Sequence, residues 1–189
     1  MSCTIEIDHR QTVKHTRDGE AFGGAVPKLL AEEYGLPITI KNNATPDYLW
    51  TPFDRTYWIE SKTWDDFFNS LNDTEIVNDR KVAKVVRQLW TAVRSGADTT
   101  LLLEGLPWVN SDGTIRDRKW RESAIDAMLL RLTFRGVSRI LLSASAEKSA
   151  LHIATVYKIS HENGTLWPLD ALPYTPLPAL PLPWIKGSG

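Results

Sequence analysis

Apolar positions in the first third of the chain fall into short alternating runs. "CTIEID" (3–8) and "PITIK" (37–41) repeat with period two and predict strands. Between them "AFGGAVPKLLAEEYG" (21–35) predicts a helix despite Pro27 and its glycines. "YLW" (48–50) and "YWIESK" (57–62), rich in aromatic and β-branched residues, flank the turn-like "TPFDRT" and predict a hairpin. The period then changes. Trp64, Phe67, Phe68 and Leu71 recur at i, i+3, i+4 and i+7, the pattern of an amphipathic helix, with Thr63 and Asp66 as a variant capping box at its start. Val82, Val85, Val86, Leu89 and Val93 predict a second helix, whose other face carries Arg80, Lys84, Arg87, Gln88 and Arg94.

"TTLLLEG" (99–105) predicts a buried strand, and Ile125, Met128, Leu129 and Leu132 stripe a further helix. "RILLSAS" (139–145) predicts another strand and 146–160 a last helix. This alternation predicts an α/β domain over residues 1–164, with a mixed central sheet flanked by helices. From residue 165 to 189 the character changes: six of the eleven prolines lie there, predicting an extended tail that serves as a linker or a partner handle.

Composition adds boundaries. With 42% hydrophobic and 24% charged residues in 189, the chain has the profile of one globular domain. Its net charge of −1 gives no bulk attraction to nucleic acid, but the distribution is uneven. Residues 1–75 carry 13 acidic and 7 basic side chains, residues 76–139 carry 7 and 12, which sets an acidic site beside a basic surface. A single cysteine, Cys3, leaves neither a disulfide framework nor a cysteine-rich zinc site. No apolar run approaches the ~20 residues of a membrane span, and "MSCTIEIDHRQ" lacks the regions of a signal peptide. The expected setting is the cytoplasm, or the nucleus in a eukaryote, with no membrane partner.

The hairpin carries the candidate chemistry. Antiparallel pairing brings Asp47, at the start of its first strand, beside Glu60, near the end of its second. Lys62 lies two residues on, on the same face as Glu60. Mg²⁺ prefers oxygen ligands, keeps several waters and needs few carboxylates. Asp47, Glu60 and the backbone carbonyl of Ser61 are therefore candidate metal ligands, and Lys62 can orient water or stabilise developing negative charge. Asp8 either adds a carboxylate from a neighbouring strand or serves as a turn or cap residue. Together these residues give the P-D…(D/E)-x-K pattern of a large nuclease superfamily.

The ordered series extends further. Asp8-His9-Arg10 ends the first strand; Pro46-Asp47, Glu60-Ser61-Lys62 and Asp66 follow, then "KVVRQLWTAVRSGADTTLLLEG" and a closing helix–strand–helix. Over roughly residues 4–160 this resembles the XPF/Hef-type structure-specific endonucleases. The resemblance implies a restriction-endonuclease-like core and a Mg²⁺-dependent activity, with Mn²⁺ able to substitute, on branched or flapped DNA in repair or recombination. It makes Asp47 and Glu60 metal ligands, Lys62 the catalytic lysine, Asp8 a supporting acid, and Arg10 and Gln88 supporting polar residues.

Departures from the family accompany the match. Pro46 replaces a glycine and Ser61 an arginine, and no helix-hairpin-helix module follows the core within these residues. The monomer is thus expected to bind DNA weakly and to need a second copy or a partner, with helix 146–160 as the expected contact. Several residues keep two readings. Asp66 is a cap or a site residue. Arg80, Lys84, Arg87 and Arg94 contact phosphates or form a solvated face, as does "RDRKWRE" (116–122). Trp50, Trp58 and Trp64 belong to the core or meet unpaired bases. A junction resolvase, a restriction-type nuclease and a catalytically silent DNA-binding scaffold are the competing functions.

Overall fold

Both predicted strands of the hairpin form, and the rest of the sheet assembles around them. The computed structural model describes residues 3–12, 22–42, 46–77, 79–115 and 120–161. Strands β1 (Ile5–Asp8), β2 (Ile38–Lys41), β3 (Tyr48–Trp50), β4 (Tyr57–Thr63), β7 (Asp98–Glu104) and β8 (Arg139–Ser143) make a six-stranded sheet in the order β2-β1-β3-β4-β7-β8. The sheet is mixed. β1–β3 and β3–β4 pair antiparallel, whereas β1–β2, β4–β7 and β7–β8 pair parallel. All seven residues of β7 are buried, as a parallel strand covered on both faces requires.

Helices cover the two faces, giving the expected α/β architecture. On one side α1 (Phe22–Glu32) and α5 (Ala146–His161) pack through Val26, Leu30, Ile153 and Tyr157 onto Ile7, Tyr48, Ile59 and Leu102. The helical segment ends where Gly35 takes φ +61, so that the Leu36 N–H reaches the Leu30 carbonyl at 3.0 Å and Leu36 enters the core. On the other side α2 (Trp64–Asn72), α3 (Lys84–Arg94) and α4 (Glu122–Phe134) bring Phe67, Phe68, Val85, Leu89 and Ile125 against Leu101 and Leu103. The ends of β4, β7 and β8 that precede the site are tied by Asp98, which accepts from Arg55 at 2.7 Å and from Arg139.

One expectation is corrected here. The second predicted helix starts later than its apolar period indicates. Residues Thr74–Val77 (β5) and Arg80–Ala83 (β6) form a separate two-stranded antiparallel sheet, so Arg80 and Val82 lie on a strand rather than on α3. Val82 stands at helical spacing from Val85, Val86 and Leu89, which extends the stripe backwards in sequence, while Asp79 at φ +60 turns the real chain. On α5, the helix expected to meet a second copy, the apolar residues divide. Ala150, Ile153, Ala154, Val156 and Tyr157 are spent on the core, leaving Leu151 and Ile159 partly outside. The tail 165–189 and residues 116–119 of the second basic cluster lie outside the described residues.

Candidate active site

Period-two alternation along β4 divides its chemistry between the two faces of the sheet. Tyr57 and Ile59 enter the core beneath α1 and α5, whereas Glu60 and Lys62 open towards α2 and α3. There a cleft is lined by Arg10, Gln11, Asp47, Glu60, Ser61, Lys62, Asp66, Asn69, Ser70, Asp73, Lys84 and Gln88. Its volume of about 320 Å³ is enough for a phosphate group and its waters.

Asp47 is held from the hairpin on one side and from the turn after β1 on the other. Its Oδ2 accepts from the Ser61 N–H at 2.7 Å, and its Oδ1 accepts from Gln11 Nε2. Glu60 is 3% exposed and its Oε1 stands 3.0 Å from Lys62 Nζ, so the predicted acid and lysine are an ion pair on one strand face. The structure thus brings Asp47, Glu60, Ser61, Lys62, Asp66, Arg10, Gln88 and Lys84 to one cleft.

Asp8 is placed differently. It is fully buried, does not line the cleft, and binds Arg10 in a fork: Oδ1 accepts from Arg10 Nε at 2.9 Å and Oδ2 from Nη2 at 3.0 Å, with a third bond from the Arg10 N–H. Burial acts to raise the Asp8 carboxyl, but the Arg10 bonds and charge outweigh it and hold the group below the usual carboxylate range. The Arg10 guanidinium is correspondingly raised, first by Asp8 and further by the charges of Asp47 and Glu60. Asp8 therefore aims a permanent cation at the cleft.

Asp66 satisfies both of its readings in part. Its N–H donates to Thr63 Oγ1 at 3.1 Å, so Thr63 caps α2, and its side chain is among those lining the cleft. The basic stripe is broken up. Lys84 meets Asp73 at 3.4 Å, Arg87 meets Glu75 at 2.6 Å, and Arg94 sits over the Trp90 ring at 5.7 Å, away from the cleft. Trp50 and Trp64 are core residues: Trp50 stacks on Tyr57 with centroids 5.5 Å apart and donates to Ser160, and Trp64 donates to the Gly105 carbonyl. Trp58 has its Nε1 buried without a hydrogen-bond acceptor.

Gln11 is the residue that sequence reasoning missed. It follows Asp8-His9-Arg10 on a 3₁₀ turn (His9–Thr12), and no pattern singles out its amide. The only available signal was its position just past a strand whose end already carried candidate residues. Its Oε1 and that of Gln88 are buried without a hydrogen-bond partner, two acceptors at the cleft.

Residues 7–156 match the family model of the ERCC4 domain, well over half of the chain. Two solved structures are similar to it: XPF from Aeropyrum pernix, at 22% identity and TM-score 0.60 over 84% of this chain, and the same protein in complex with DNA, at 21% and 0.60 over 85%. This chain spans 65% and 66% of those two chains, and at such identities the likeness establishes the fold. No curated protein matches the chain. The chain belongs to the ERCC4 domain family.

Proposed function

We propose that this ERCC4-domain chain is a metal-dependent DNA endonuclease acting on branched or flapped DNA. The observation that carries the proposal is the convergence of Asp47, Glu60 and Lys62 in one cleft, each held from a neighbouring residue. Two buried carboxylates beside the unpartnered Gln11 and Gln88 oxygens fit a hard cation that keeps most of its waters. The cleft offers carboxylate and amide oxygens rather than imidazole or thiolate, a donor set that suits Mg²⁺ or Mn²⁺ better than zinc.

Asp47, Glu60 and the Ser61 carbonyl would hold the ion, which would supply an activated water and charge neutralisation at the phosphate. The chain's own groups do the rest. Gln11 and the Ser61 N–H fix the Asp47 carboxylate, so the ligand is preorganised. Lys62 faces Glu60 and can turn its ammonium to the attacking water or to a non-bridging phosphate oxygen, where negative charge grows as the new P–O bond forms and the P–O bond to the leaving sugar breaks. Arg10, fixed by Asp8, presents a second cation to the same phosphate. Incubating the purified chain with labelled linear, flap, fork and four-way DNA, in Mg²⁺ or EDTA, tests the proposal. Metal-dependent cutting of the branched forms is expected. Tight binding with no cutting in Mg²⁺ or Mn²⁺ would instead identify a silent scaffold.

A further inference from the structure

The β5–β6 hairpin is not part of the main sheet. Its base is joined to the cleft. The Lys84 N–H donates to the Asp73 carbonyl at 2.9 Å, and both residues line the pocket. Its inner side is anchored by the Glu75–Arg87 ion pair and the half-buried Val82. The outer side is different. There Ile76 is 75% exposed and lies directly opposite Lys81; Val77 and Arg80, opposite each other, alternate to the Glu75–Val82 face. Both cations are exposed, and among the described residues neither forms an ion pair.

An isoleucine so exposed contributes nothing to the core, and an isolated two-stranded ribbon is marginal by itself. Apolar side chains set directly across from cations suit a ligand that offers flat apolar surfaces and regularly spaced anions together. A nucleic-acid strand with unpaired bases does so; continuous duplex presents its phosphates and hides its bases.

We propose that this hairpin is a nucleic-acid arm, with Lys81 on a backbone phosphate and Ile76 against unpaired bases beside the cleavage cleft. It gives the site a preference for substrates with a single-stranded arm. The inference rests on the endonuclease reading and goes beyond it, because it assigns substrate choice to a named element.

Binding of the full chain to a fluorescein-labelled fork with unpaired arms, and to a duplex of the same sequence, tests it with Ca²⁺ in place of Mg²⁺. Ile76→Ser should weaken fork binding roughly fivefold, the loss of about 1 kcal/mol of apolar burial, and leave duplex binding unchanged. Lys81→Glu should weaken both and lower the slope of log affinity against log salt by about one or more. If the wild-type chain binds neither DNA, the endonuclease reading fails and takes the arm with it. If it binds and both variants match it on both substrates, only the arm is overturned. Variants that bind DNA normally but lose self-association would overturn it as well, by making the hairpin a protein contact.

Discussion

The Asp47 carboxylate accepts a 2.7 Å hydrogen bond from the backbone N–H of Ser61, the residue between Glu60 and Lys62. The hairpin thus locks one candidate ligand to the strand that carries the other two groups, and the site and the local fold share a bond.

Removing Asp47 therefore has two separable effects. Asp47→Asn keeps an acceptor for Ser61 and should abolish cleavage with little change in melting temperature. Asp47→Ala should abolish cleavage and also lose about 1–3 kcal/mol, because the Ser61 N–H and the Gln11 amide lose the carboxylate to which they donate. Urea melts beside a flap-cleavage assay separate the two. Cleavage at the wild-type rate in the Asn variant would remove Asp47 from the site.

Lys62→Ala should slow single-turnover cleavage by roughly 10²–10³-fold while Mg²⁺ or Mn²⁺ still binds, since the ammonium acts on water or phosphate. Lys62→Arg should rescue little, because a planar guanidinium does not fit where a largely buried ammonium faces Glu60. Retained activity in Lys62→Ala would count against this role.

Asp8 predicts the acid response. Its folded carboxyl is depressed, so the Asp8–Arg10 interaction stabilises the protein fully above the ordinary aspartate value of about 3.9 and is lost as pH falls through the lower folded value. Asp8→Asn should cost about 1–3 kcal/mol at neutral pH and flatten the fall in stability below about pH 4. Thermal melts from pH 7 downwards measure both, and parallel curves for the two proteins would refute the linkage.

Reversing Arg80 should reduce the salt dependence of DNA binding more than neutralising Arg87, which is already engaged by Glu75. Titrations at several salt concentrations check the order. Equal slopes in wild type and both variants would return these cations to an ordinary solvated surface.

Much of this was legible in the sequence for a definite physical reason. The hairpin at 48–62 is composed of residues that favour pleated surfaces, around a turn that cannot continue them. The stripe Trp64, Phe67, Phe68, Leu71 repeats at helical spacing, with Thr63 as a true cap. What misled was coincidence of spacing: Val82 fits the α3 stripe yet pairs with Glu75 on a strand. Gln11 was invisible because its role depends on a residue 36 positions away. Asp8 was found but its action was not, since nothing in "DHR" shows whether the carboxylate faces the cleft or its own arginine.

The β4–β7 pairing has a consequence for how this chain can vary. Seven consecutive residues of β4 are in register with seven of β7, from Tyr57 opposite Asp98 to Thr63 opposite Glu104. Side chains alternate faces, so a shift of one residue within Tyr57–Thr63 would send Glu60 and Lys62 into the core and lift Ile59 or Ser61 into the cleft. Away from Glu60 and Lys62 the segment should then tolerate changes of letter more readily than any change of length. In a library of single-residue insertions and deletions it would stand out as a silent gap between permissive flanks. Outside Glu60 and Lys62, descendants of this sequence can drift in what they write along this segment, but not in how many positions they write.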